Sequence, residues 1–163
     1  MINSLEKIKV AIFNKCNFKT SNIIIDKESQ EYDGCEFLLD ERKIIFRSSK
    51  ITPKKVGQFV TFWKRNEKGI TEPFSEKDNF DYYVINVQTE NQVGQFVFPK
   101  SVLIEKGIIS TSKKDGKRGF RVYPIWNKTI SKQAIATQKW QLNYFFEVNE
   151  NLDFNFVKKL YSN

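Results

Sequence analysis

Residues 44–65 read IIFRSSKITPKKVGQFVTFWKR, and the fold turns on how this stretch is understood. Ile44, Ile45 and Phe46 form one apolar run; Val56, Phe59, Val60, Phe62 and Trp63 form another. Such runs belong to a packed sheet. Between and beside them sit Arg47, Lys50, Lys54, Lys55, Lys64 and Arg65, so a folded scaffold presents the charge. A second unit of the same kind, KKDGKRGFRVYPIW, runs from Lys113 to Trp126 and places Lys117, Arg118 and Arg121 at the entrance of an aromatic strand. The two units are expected to form two walls of one basic surface.

Outward from this stretch, periodicity supplies the remaining elements. Cys35–Leu39 and Lys43–Arg47 are apolar runs around Asp40-Glu41-Arg42, the pattern of a hairpin with a charged tip. Val56–Lys64, Phe80–Gln88 and Val93–Phe98 read as strands of an antiparallel meander, with 65–79 as a polar surface loop. Ser4–Asn14 carries Leu5, Ile8, Ala11 and Ile12 on one stripe, which predicts a packing helix capped by Ser4. Thr20–Asp33 reads either as a short buried strand or as the start of a second helix. Pro99–Lys106 predicts a short helix stopped by Gly107.

Thr129 or Ser131 is expected to cap a long helix reaching Val148, with Ala134, Ile135, Leu142, Phe145 and Phe146 on its core face. Gln133, Thr137, Trp140 and Tyr144 then lie on a separate side. The tail, 151–161, predicts a last helix with Phe154, Val157 and Leu160 inward. The sum is one α+β domain over residues 1–163: a curved, mainly antiparallel sheet of five to seven strands flanked by N-terminal and C-terminal helices.

Composition bounds the chemistry. The chain has 163 residues, enough for one domain with a core, and carries 15 Phe, 6 Tyr and 3 Trp beside a net charge of +8. A positive potential of this kind favours polyanionic partners. There is no histidine, which removes Ser-His-Asp and Cys-His catalysis and His-ligated metals. Cys16 and Cys35 form no CxxC and read as reduced core residues. No apolar run has the length of a membrane span, and a cytoplasmic protein with no membrane insertion and no cofactor is expected.

One short echo appears: VGQFV occurs at Val56–Val60 and again at Val93–Val97. Each copy sets a Gly beside a Gln at a strand start, which suits a bulge or a close backbone approach. Gln58 and Gln95 either project amides toward bases or phosphates or, the weightier alternative, are satisfied inside the sheet.

The segments KITPKKVGQFVTFWKRNEKGITEPF (Lys50–Phe74), GQFVFPKSVLIEKGIIST (Gly94–Thr111) and GKRGFRVYPIWNKTISKQAIATQKWQL (Gly116–Leu142) closely resemble the MepB family, over most of the chain. That resemblance implies a small cytoplasmic bacterial protein, named after a staphylococcal gene cluster for multidrug export. It brings no catalytic residues to carry across.

The functional expectation is a non-catalytic module that binds DNA or RNA. Arg47, Lys50, Lys54, Lys55, Lys64 and Arg65 join Lys117, Arg118 and Arg121 along a groove, with Gln58 nearby. Tyr123, Trp126, Trp63 and Trp140 offer rings to unpaired bases. Against each ring stands ordinary core packing. The enzyme alternative is a metal-dependent nuclease: Glu41-Arg42-Lys43 spells E-x-K, with Asp33 or Asp40 upstream, although a hairpin tip explains those charges better. A third alternative is a small-molecule or protein interaction domain linked to multidrug efflux.

Overall fold

The structure, a computed structural model, describes residues 3–162. The N-terminal stripe forms α1 (Asn3–Ile8), continued by a π-helical turn over Lys9–Phe13. Ser4 lies inside α1 rather than before it, so it does not cap the helix. The ambiguous segment forms a strand followed by a helical turn, but the strand is not buried: it is an edge strand with Ile24 and Ile25 exposed. The strand is β1 (Thr20–Ile25), and the turn is a 3-10 segment over Lys27–Tyr32 that ends at Asp33, a residue in the left-handed region with φ of 51°.

The hairpin follows as β2 (Cys35–Leu39) and β3 (Arg42–Ser48). Next come β4 (Lys50–Ile51), β5 (Gln58–Thr61), β6 (Trp63–Arg65) and β7 (Thr71–Pro73). The chain returns through β8 (Tyr82–Gln88) and β9 (Val93–Pro99) to α2 (Lys100–Glu105). It ends with β10 (Gly119–Val122), α3 (Lys132–Gln141), β11 (Phe145–Glu147) and α4 (Phe154–Leu160).

Six strands form the main sheet in the order β1-β2-β3-β8-β9-β11. Only the β3–β8 pair in it is parallel, so the sheet is mainly antiparallel, as expected. Its centre is β8, where six successive residues, Tyr82–Val87, are buried. A strand covered on both faces needs such a run. Tyr82 and Val84 join one core with α1, the π-turn and α4; Tyr83, Ile85 and Val87 join the other.

That second core is closed by a smaller sheet of order β10-β5-β4, through Val60, Phe120 and Val122. Phe62 stacks on Tyr83 at 4.0 Å and on Phe74 at 4.4 Å, joining the two layers.

Two expectations are corrected here. The strand over 56–64 does not form a meander with β8. It breaks into β5 and β6 and belongs to the crossover that joins the parallel strands β3 and β8, where it packs as a layer on the sheet. The long helix stops at Gln141, and Phe145–Glu147 pairs with β9 instead. Phe145 and Phe146 point into different cores, the alternation of a strand rather than one helical stripe. Ile135, assigned to the core face, is 49% exposed.

The repeated glycines do meet a neighbour closely. A Cβ on Gly57 would lie 2.7 Å from the Tyr123 ring, and one on Gly94 would lie 2.6 Å from the Phe145 ring. Each glycine lets an aromatic ring of a neighbouring segment come close to the backbone. Both cysteines are free and buried; burial, with Asp33 and Glu36 nearby, pushes the Cys35 thiol up to about 12. None of the described helices is long and apolar enough to cross a membrane.

Candidate nucleic-acid interface

The nine cations singled out in the sequence separate by what their head groups touch. Four of them are matched by carboxylates. Arg47 is 2% exposed and braces the crossover: NH1 donates to Thr61 Oγ1 at 2.8 Å, and NH2 donates to the Trp63 carbonyl at 3.1 Å and meets Asp26 at 3.3 Å. Lys50 pairs with Glu31 at 3.1 Å. Lys64 pairs with Asp78 at 2.5 Å and Glu72 at 3.5 Å; burial disfavours its charge, but the two carboxylates outweigh that and its pKa is raised. Arg65 meets Glu28 at 2.6 Å.

Arg47, Lys64 and Arg65 line a cleft of about 510 Å³ over the part of the main sheet that the small sheet leaves uncovered. Asp26, Glu28, Glu36 and Asp78 line it too, so its charge is largely balanced. The E-x-K spacing does not converge there. Lys43 lines this cleft, whereas Glu41 is exposed in a separate recess with Asp40 and Asp81. Among the described residues no group of three Asp, Glu or Cys is placed to hold a metal ion.

Among the described residues the other five cations, Lys54, Lys55, Lys117, Arg118 and Arg121, have no carboxylate partner. Lys54, Lys55 and Lys117 are exposed. Arg118 donates to the Thr71 carbonyl at 3.1 Å. Arg121 donates to Thr52 Oγ1 at 2.6 Å and to the Val56 and Gly57 carbonyls at 3.2 and 3.4 Å. Those acceptors are neutral, so neither charge is opposed, and Arg121 is held by three of them while exposed Arg118 has one. Arg121 thereby ties the first basic loop to β10.

The loops themselves flank the strand pair from opposite ends. Gln58 faces Val122, beside the 52–57 loop, and Thr61 faces Gly119, beside Arg118. Three residues of strand separate these ends, roughly 10 Å. The two loops therefore border one surface without facing each other as walls.

A second cleft, of about 330 Å³, opens between β10 and α3. Lys106, Lys117 and Arg121 line it with Tyr123, Thr137 and Trp140, and no carboxylate does. Gln141 sets its width: its Nε2 donates to the Arg121 carbonyl and its Oε1 accepts from the Tyr123 N–H, both at 2.9 Å. Gln138 adds 2.9 Å bonds to the Pro124 and Asn127 carbonyls. These amides fasten α3 to the end of the small sheet; Gln141 is its one buried residue, Ala134, Thr137, Gln138 and Trp140 are half-buried, and the rest of the helix is exposed. Gly107, with φ of 69°, ends α2 and directs the chain away behind Lys106, whose Nζ lies 5.3 Å from the Trp140 ring centre.

Three of the expected contacts are corrected, and for Gln58 the weightier alternative, satisfaction inside the sheet, holds. Gln58 is 2% exposed and spent internally, accepting from Ser49 Oγ at 2.6 Å and donating to the Gln88 carbonyl at 3.2 Å. Arg47 is a structural brace. Trp126 is half-buried and packs edge-on against Phe145 at 5.8 Å, outside both clefts. Lys106 and Gln141 carry the cleft and were missed. No such signal marks Lys106, which follows Glu105, but the stretch around Gln141 carries one: from Gly116 to Phe146 the chain has no Asp or Glu, yet it contains Lys117, Arg118, Arg121, Lys128, Lys132 and Lys139.

The MepB-like family pattern matches residues 26–147. A crystal structure of MepB is 36% identical, with 93% of this chain and all of that chain covered and a TM-score of 0.80. A bacterial homing endonuclease is 19% identical over 86% of this chain and 87% of its own, with a TM-score of 0.49. No curated protein matches.

Proposed function

Since the chain belongs to the MepB-like family, we propose for it a function that the cleft between β10 and α3 can perform: non-catalytic binding of nucleic acid. The observation that carries the reading is a concave surface with three cations and no carboxylate. A phosphodiester entering it displaces water and counterions without breaking an ion pair of the protein. In the balanced cleft the same ligand must first compete with Asp26, Glu28 and Asp78.

Lys106 and Lys117 are assigned to phosphate oxygens, with Arg121 supplying fixed positive charge at the rim. Trp140 and Tyr123, both half-buried, offer ring surface to an unpaired base, a contact worth about 1–3 kcal/mol per base. Lys54 and Lys55, at the far end of the strand pair, extend the positive field. Binding rather than cutting is favoured because Glu41 and Lys43, the pair with nuclease spacing, lie in different recesses.

Fluorescence anisotropy of a labelled oligonucleotide across a salt series tests the reading. Three cations at roughly 0.7–0.9 each predict a log–log slope of about −2 to −3. Affinity that does not change with salt would remove the proposal.

A further inference from the structure

We propose that Lys50 and Arg65 form a second phosphodiester-binding surface, held closed by Glu28 and Glu31 of the 3-10 segment. The inference rests on the cleft reading above and extends the ligand's path beyond it.

The 3-10 segment is fixed at its base. Asp26 Oδ1 accepts the Glu28 N–H at 3.0 Å, the Asp26 N–H donates to the Gly34 carbonyl at 2.9 Å, and the Gly34 N–H donates to the Ser29 carbonyl at 2.9 Å. A Cβ on Gly34 would lie 2.6 Å from Ser29 Cβ, so the two arms of the segment are in contact. From this frame Glu28 reaches Arg65 at 2.6 Å and Glu31 reaches Lys50 at 3.1 Å. Lys50 also lies 4.7 Å from the Tyr32 ring centre.

These two carboxylates stand in front of the cations but are not built into the core. Their side chains are 48% and 81% exposed, respectively. Exposed pairs of this sort contribute little to stability, so they can exchange partners while the segment stays folded. Arg65 presents Nε to Glu28 while NH1 donates to the Gly69 carbonyl at 2.7 Å, so the guanidinium is already oriented for an oxyanion. A phosphodiester oxygen meets the same donors that the carboxylate meets now.

Position makes the exchange useful. The small sheet runs β10-β5-β4, with Arg121 on one edge strand and Lys50 on the other. Two strand spacings separate them, roughly 10 Å. Phe59, half-buried on β5, is the cross-strand partner of both Arg121 and Lys50. A chain of phosphates held in the open cleft at β10 is thereby led across β5 toward the closed rim at β4, where it competes with Glu31 and then Glu28. The acidic run that the sequence places between β1 and β2 thus acts as a local stand-in for the ligand.

The test is anisotropy with a fluorescein-labelled oligothymidylate, comparing the wild type, E28Q/E31Q, and E6Q/E150Q, which makes the same charge change on α1 and just before α4. The closed-rim account predicts that E28Q/E31Q binds about 3- to 10-fold tighter than E6Q/E150Q, with a salt slope steeper by about 1. Equal affinities and slopes in the two variants, with salt-sensitive wild-type binding intact, overturn this inference and leave the cleft reading standing. No salt-sensitive binding by any of the three proteins overturns both.

Discussion

Replacing Lys106 and Lys117 together by glutamate is expected to weaken oligonucleotide binding by about 10- to 100-fold at low salt, and to flatten the salt slope by about 1.5. Both side chains are exposed, and among the described residues neither makes an ion pair, so the folded state has little to lose. Lys106 gives up only its approach to the Trp140 ring. The loss should therefore come without a change in melting temperature beyond roughly 2 °C. The matched control is K158E/K159E on α4, which alters net charge equally on the other face of the main sheet and is expected to cost less than about threefold. Equal losses in the two variants would mean that net charge, and not the cleft, attracts the ligand.

The second large effect concerns Arg47, and it falls on stability. In R47M the side-chain bulk is kept while Thr61 Oγ1, the Trp63 carbonyl and Asp26, all half-buried, lose a common buried donor. Leaving such groups unpaired costs about 2–4 kcal/mol, or roughly 5–15 °C of melting temperature for a chain of this size. Chemical denaturation with unchanged m-value checks it. A loss under about 0.5 kcal/mol would show that Arg47 is not the brace between β3 and the β5–β6 crossover. Binding by the folded fraction should be nearly unaffected, which separates this arginine from Lys106 and Lys117.

The contrast shows where the sequence was readable. Period-2 runs and the turn at Asp40-Glu41 were enough to place β2 and β3, and the stripe Phe154, Val157, Leu160 placed α4. Local spacing fails where a long-range partner decides. Phe145-Phe146 fits a helical stripe, but β9 offers an edge and each ring finds a different core. Likewise Val56–Lys64 looks like one strand until the crossover between β3 and β8 breaks it at Phe62.

For the site, charge clustering picked out the two basic loops but could not sort their cations by partner. Lys64 and Arg65 look as available as Lys117 until Asp78 and Glu28 arrive from distant segments. Arg47 lies in a run of four buried residues, Ile44–Arg47, a pattern that points to an interior role. The absence of acid between Asp115 and Glu147 was the better guide, because a carboxylate missing from a long segment cannot neutralise that segment's own cations.

Photochemical cross-linking of a bromouracil-substituted single strand, with the attached peptides identified by mass spectrometry, asks most directly where the ligand lies. The account predicts cross-links at Tyr123 or Trp140, suppressed by high salt and by K106E/K117E. Cross-links confined to rings on the helix-covered face, such as Phe18 or Phe154, would contradict it.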